Sequence, residues 1–131
     1  MTTPHSTGAT RPRRRSARLG ARGEDYAAGY YIRRGARVLA RNVRYPVGEL
    51  DLIVEEADRT IVFVEVKTRS GHGYGGAEAV TGRKLARMRR AAARWLDGRT
   101  FQPVRFDVLA LTVRGRSFDA DLYEGVEHGA W

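Results

Sequence analysis

Asp51, and further along the chain Glu65 and Lys67 two residues apart, are the side chains whose types and spacing suit phosphate chemistry. A hard cation such as Mg²⁺ takes oxygen ligands in octahedral geometry, usually one or two carboxylates completed by water and substrate phosphate. Asp51 and Glu65 supply that number of carboxylates. A neighbouring lysine can orient or help deprotonate an attacking water and offset the charge that grows on phosphorus. An isolated Glu-x-Lys is more often an ion pair on a solvated strand face. Here it stands in Phe63-Val64-Glu65-Val66-Lys67, which is too apolar for an exposed edge, so its charges need partners or a task.

The elements that must position these residues are legible from periodicity. Glu49 to Glu55 alternates, with Leu50, Leu52 and Val54 on one face and Glu49, Asp51, Ile53 and Glu55 on the other. Ile61 to Lys67 is dense in β-branched residues. A short polar connection around Ala57, Asp58 and Arg59 makes the two strands an antiparallel hairpin. Parity then decides the chemistry, because directly opposed residues share a face. A turn of odd length centred near Asp58 sets Asp51 opposite Glu65, whereas an even one sets it opposite valine. An odd turn is therefore predicted.

A helical pattern runs from Leu19 to about Arg34, with Gly35 as its C-terminal stop. On its wheel Glu24 falls among Gly20, Ala27, Ala28 and Tyr31, a position from which a buried acid can reach the metal site. Read alternatively, Glu24 complements the helix dipole. Ala36 to Val43 reads as a strand. A second helix, Val80 to Leu96, carries Leu85, Met88, Ala92 and Trp95 or Leu96 on its apolar side. Arg83, Arg87, Arg90 and Arg94 form a stripe opposite, suited either to a phosphate backbone or to solvent. Lys84 lies at the margin of the buried face. Pro103 to Thr112 reads as a buried strand and Phe118 to Tyr123 as a weaker one. The order helix, three strands, helix, strand implies an α/β fold, a mixed β-sheet flanked by helices.

With 131 residues the chain has material for one core. Residues 1–16 mix Thr, Ser, Pro, Gly and Arg without periodicity and are expected to be a disordered basic tail; 17–124 form the domain and 125–131 a C-terminal tail. The net charge is +9, from 24 basic and 15 acidic residues, and six of the arginines (Arg11, Arg13, Arg14, Arg15, Arg18, Arg22) precede Gly23 in a stretch without acids. That distribution suits an anionic polymer better than a small acidic metabolite. No apolar run is long enough to span a bilayer, no cysteine is present, and no secretory signal follows the arginines, so no membrane partner and a cytoplasmic location are expected.

Gly71-His72-Gly73-Tyr74-Gly75-Gly76 satisfies G-x-G-x-x-G, and Asp97 follows it at a distance that invites a dinucleotide reading. Such a site needs its acid at the end of a second parallel strand, whereas the residues before Asp97 read as helix. A glycine loop that admits a large substrate fits better, and a lone loop histidine is usually incidental.

Gly23-Glu24 with Ala27 and Ala28, Asn42, Gly48-Glu49-Leu50-Asp51, Phe63-Val64-Glu65-Val66-Lys67-Thr68-Arg69, Lys84 and Arg105-Phe106-Asp107-Val108 together resemble the YraN family of predicted endonucleases, from about Leu19 to Leu111. That family is placed in the PD-(D/E)XK nuclease superfamily, on the branch of the Holliday-junction resolvases. Leu50 stands where the superfamily's name motif has proline, as is usual on that branch. The resemblance implies a restriction-endonuclease-like α-β-β-β-α-β core. It implies Mg²⁺ or Mn²⁺ held by Asp51, Glu65 and the carbonyl of Val66, with Lys67 acting on water and Glu24 in support. The nucleic-acid contacts expected with it are Arg69, Arg83, Lys84, Arg87, Arg90 and Arg94, with DNA ahead of RNA. The alternative is a non-catalytic nucleic-acid-binding module that has kept the nuclease fold. A homodimer is a third expectation, because so small a domain holds a single scissile phosphate.

Overall fold

The computed structural model describes residues 7–70 and 81–126, with side chains from Arg18 onward. Helix α1 (Thr7–Arg33) leads into strands β1 (Arg37–Tyr45), β2 (Gly48–Glu55) and β3 (Ile61–Arg69), helix α2 (Gly82–Leu96), and strands β4 (Val104–Arg114) and β5 (Ser117–Tyr123). The strands form one sheet in the order β1-β2-β3-β4-β5. Only β3 and β4 are parallel, the pair joined through α2, and every other neighbouring pair is antiparallel. The result is an α/β fold with a mixed sheet between two helices, as expected, and it is compatible with a restriction-endonuclease-like core. The weaker strand expected over Phe118–Tyr123 is present as edge strand β5.

The two helices cover opposite faces because β2 and β3 alternate. Leu52, Val54, Val62 and Val64 pack with Ala27, Ala28 and Tyr31 of α1. Ile53, Ile61 and Phe63 pack with Leu85, Met88, Ala91 and Ala92 of α2. On α1 the buried stripe is Gly23, Ala27, Ala28 and Tyr31, one side of a helix. Gly23 is required there: a Cβ would stand 2.1 Å from Thr68 Cγ2, so the helix lies directly on the end of β3. The helix closes at Gly35, whose positive φ of 95° and N–H bond to Ile32 O (2.9 Å) provide the expected stop. Helix α2 opens with Thr81, whose Oγ1 accepts the Lys84 N–H at 3.2 Å. Trp95 meets Phe63 edge-on at 5.8 Å. Truncating Phe63 to alanine in this fully buried position would cost about 3–5 kcal/mol.

At both ends of the described residues, regular structure or packing runs past the expected bounds of 17–124. Helix α1 begins at Thr7, within the stretch expected as tail, because arginine and alanine favour helix even where no apolar stripe marks it. At the other end the fold continues into the expected C-terminal tail. Val126 is buried and its N–H bonds Phe106 O at 2.9 Å, while the Gly125 N–H reaches Asp107 Oδ1 at 3.1 Å. Asp107 is wholly buried, and its charge is met by Arg105, which bonds Oδ1 and Oδ2 at 2.9 Å each, and by the Tyr31 hydroxyl at 2.7 Å. Burial and the Asp107 carboxylate hold the Tyr31 phenol well above its ordinary pKa, so it stays a donor. This network ties β4 to the end of α1 and to the last described residues.

Candidate functional site

The β2–β3 register runs Leu52↔Val64, Ile53↔Phe63, Val54↔Val62 and Glu55↔Ile61, leaving residues 56–60 as the connection. Five residues is the odd turn that parity requires, with Arg59 at a left-handed φ of 77° and Asp58 Oδ1 accepting the Thr60 N–H at 3.0 Å. Continued by one step, the register sets Asp51 across from Glu65. The regular ladder stops just short of that step. Where it would continue, the Val66 N–H donates to Asp51 Oδ2 at 2.9 Å. Because the N–H and C=O of one strand residue point the same way, the Val66 carbonyl is also turned toward this gap.

Two further irregularities coincide with the break. Leu50 packs in the cluster beneath α2, whereas alternation placed it with Leu52 and Val54. Opposite Asp51, β1 carries Asn42 at a left-handed φ of 53°. Gly48, at the start of β2, lies so close under α2 that a Cβ would stand 2.5 Å from the Arg87 carbonyl. The strand is thus bent under the helix at the residues that carry its acids, and the glycine of Gly48-Glu49-Leu50-Asp51 makes the approach feasible.

The bend opens a pocket of about 140 Å³ between the sheet and α2, lined by Glu49, Asp51, Glu65, Lys84, Arg87 and Met88. Glu65 is 4% exposed, and Lys84 Nζ lies 2.7 Å from its Oε2. Burial tends to lower the Lys84 pKa, but the bond to Glu65 and the negative charge of Glu65, Asp51 and Glu49 raise it above the ordinary lysine value. Asp51 is pushed up to about 7, first by burial and then by the Glu65 carboxylate beside it; the Val66 N–H and Lys84 oppose the shift without cancelling it. The two carboxylates thus share the recess with Lys84 and, at its wall, Arg87.

The expected site residues divide accordingly. Asp51, Glu65, Lys84 and Arg87 come together in the pocket. Lys67 lies further along β3, half-buried and paired in register with Ala110, and the described lining does not include it. Glu24 is half-buried beside Gly23 and likewise is not in that lining. Arg69 ends β3 in register with Thr112. Of the α2 stripe, Arg83, Arg87, Arg90 and Arg94 are all exposed, and the Arg94 guanidinium lies over the Tyr45 ring at 5.2 Å. The glycine motif Gly71–Gly76 and His72 lie outside the described residues. Glu49 and Met88 line the pocket without having been singled out; the parity that selected Asp51 also selects Glu49, so its signal was present.

The carboxylate pair and the Val66 carbonyl fit a small hard cation that keeps several waters, as Mg²⁺ does. Among the described residues no group of three or more histidine, cysteine, aspartate or glutamate side chains stands close enough together to hold a metal ion by itself. Also among the described residues, no helix is long and apolar enough to cross a membrane.

Comparison with known proteins gives a consistent result. The model of a family described as Uncharacterised protein family UPF0102 matches residues 23–111, a span that includes every residue lining the pocket. The chain is 56% identical over 115 residues to a UPF0102 protein of Corynebacterium efficiens, covering 86% of this chain and 94% of that one. It is 53% identical over 115 residues to one of Corynebacterium glutamicum, covering 86% and 93%. A UPF0102 protein of Parafrankia sp. is 52% identical over 99 residues, covering 73% and 83%.

Proposed function

This chain belongs to the UPF0102 family, and from that premise we propose that it is a metal-dependent nucleic-acid phosphodiesterase, an endonuclease of the PD-(D/E)XK kind acting on DNA in preference to RNA. The observation that carries the reading is the Asp51–Glu65 pair in its recess, with Asp51 held up to about 7. Burying two carboxylates together is unfavourable, and a divalent cation is the partner that most directly relieves it. Asp51, Glu65 and the Val66 carbonyl would hold Mg²⁺ or Mn²⁺, which when bound polarises the scissile phosphate and makes a water acidic enough to attack it.

The chain's own groups supply the rest. Lys84, already at Glu65, is placed to release that carboxylate to the cation and turn its ammonium toward a phosphate oxygen, offsetting charge that develops during attack. Lys67, next on the same side of β3, orients the attacking water in the family-based scheme. Arg87 at the pocket wall and Arg83, Arg90 and Arg94 along α2 offer charge to flanking phosphates. Glu24 is assigned to support the water from α1.

A second reading, non-catalytic nucleic-acid binding, is favoured by one observation: Lys67 is not in the described pocket lining. A cleavage assay on single-stranded, duplex, flap and four-way DNA in Mg²⁺ or Mn²⁺ separates the two. Nicking by the wild type that Asp51→Asn and Glu65→Gln abolish, with DNA affinity retained, supports catalysis. Binding that weakens steeply with salt and yields no product supports the module. Equal product from wild type and both variants rejects this pocket as the active site. Sedimentation with and without branched DNA tests the homodimer, and a monomer in both counts against it.

A further inference from the structure

On the α1 side of the sheet lies a second recess, wider than the carboxylate pocket. It has a volume of about 340 Å³ and is lined by Arg22, Asp25, Tyr26, Arg116, Ser117 and Phe118. We propose that this groove is an accessory binding site for a single nucleic-acid strand, taking a phosphate on Arg22 and Arg116 and a base against Arg22 and Tyr26.

The case begins with charge. Arg22 and Arg116 are both exposed, and the Arg22 guanidinium is held at the Arg116 carbonyl at 3.4 Å, which brings the two residues to one wall. The acid in the lining, Asp25, is already engaged by Arg41 at 2.7 Å. Counting Arg41 with its partner, the groove keeps two positive charges. Arg18, one helical turn before Arg22 on α1, is likewise exposed, and no acidic residue precedes Gly23 in the sequence.

The aromatic groups give the recess a floor as well as a charge. The buried ring of Phe118 meets Tyr26 edge-on at 5.4 Å, the Arg22 guanidinium lies over Phe118 at 5.3 Å from the ring centre, and the Arg33 guanidinium lies over Tyr26 at 5.6 Å. A guanidinium beside an aromatic ring offers a plane to a further flat group, and bases stack readily on such planes and on tyrosine. Arginine charge interleaved with aromatic surface is the combination that holds single strands without reading sequence. Duplex DNA, whose bases are already stacked, offers the same phosphates but nothing for the flat surface. Arg22 lies before, and Arg116, Ser117 and Phe118 after, the residues 23–111 that the family model matches.

The inference does not depend on the carboxylate pocket being catalytic, since binding is measurable without metal. The test is fluorescence anisotropy of the full-length protein in EDTA with a labelled oligothymidylate and with a duplex of equal length, for the wild type, Arg22→Gln/Arg116→Gln and Arg83→Gln/Arg87→Gln. Thermal melts first establish that the variants fold; Arg116→Gln alone, in an exposed turn, serves as the second variant if the double one does not. The expected result is about a tenfold or greater loss of single-strand affinity in the groove variant, with a salt slope reduced by roughly 0.7 for the one lost phosphate contact, and a clearly smaller loss on duplex. Unchanged single-strand affinity, an equal loss on both nucleic acids, or an effect confined to anionic phosphatidylglycerol vesicles would each overturn the assignment. Absence of cleavage in the separate metal-dependent assay would leave the expected binding result intact.

Discussion

Asp51→Asn should stabilise the metal-free protein at alkaline pH. In the fold the Asp51 pKa is raised from 3.8 to about 7, so between those values the native state binds more protons than the unfolded chain. Stability must then fall as pH rises from about 4 to about 7 and stay low above it. Taken whole, a shift of that size corresponds to roughly 4 kcal/mol at pH 8, since one unit is about 1.4 kcal/mol. The pocket is partly open to water, so the realistic gain is about 1–3 kcal/mol. Asparagine removes the charge and keeps an oxygen for the Val66 N–H. For a chain of this size the gain corresponds to a Tm increase of roughly 4–12 °C. Differential scanning calorimetry in EDTA at pH 4 and pH 8 measures it: near coincidence at pH 4 and a clearly higher Tm for the variant at pH 8 are expected. Adding Mg²⁺ should raise the wild type by mass action and leave the variant unmoved. A variant less stable than wild type at pH 8, or a gain of equal size at both pH values, would refute the electrostatic account of the pocket.

Lys84→Met should leave the buried Glu65 without its cation, lowering metal-free stability while tightening Mn²⁺ binding several-fold, because a competing positive charge is gone; isothermal titration reads this, and weaker Mn²⁺ binding would contradict it. Tyr31→Phe removes one donor from the wholly buried Asp107 and should cost about 1–2 kcal/mol in urea unfolding, without altering metal affinity. Asn42→Ala should cost about 1 kcal/mol because an alanine strains at a left-handed φ, and Asn42→Gly should be close to neutral; equal cost for both would place the effect in the lost amide instead of the backbone.

The site was legible where strand parity governed it. A two-residue period and an apolar hairpin were enough to require an odd turn and to pair Asp51 with Glu65, and the five-residue connection meets that requirement. The end of α2 at Leu96 fell where it was expected, whereas its start, expected at Val80, comes at Gly82 behind the Thr81 cap. What failed to show was tertiary. Leu50 sits under α2 because the strand bends at Asp51, and no alternation rule anticipates a bend caused by a helix lying on Gly48. The prominence of Lys84 over Lys67 is similar: β3 spacing favoured the lysine two residues from Glu65, while the ion pair at Glu65 comes from a helix packed across it. A helical wheel fixed the direction of Glu24 around α1, where it is half-buried, but not how far along the sheet its side chain lies. The Asp107 network joins residues distant in sequence, and nothing local in Arg105-Phe106-Asp107 announces its bond to Tyr31.

Mn²⁺ titration of the full-length protein, followed by calorimetry at pH 8, asks most directly whether the recess under α2 is a cation site. One ion per chain is expected, with binding lost in Asp51→Asn and in Glu65→Gln and kept in Tyr31→Phe. Wild-type affinity in both carboxylate variants would mean that the ion sits elsewhere and that the phosphodiesterase reading has no centre to act from.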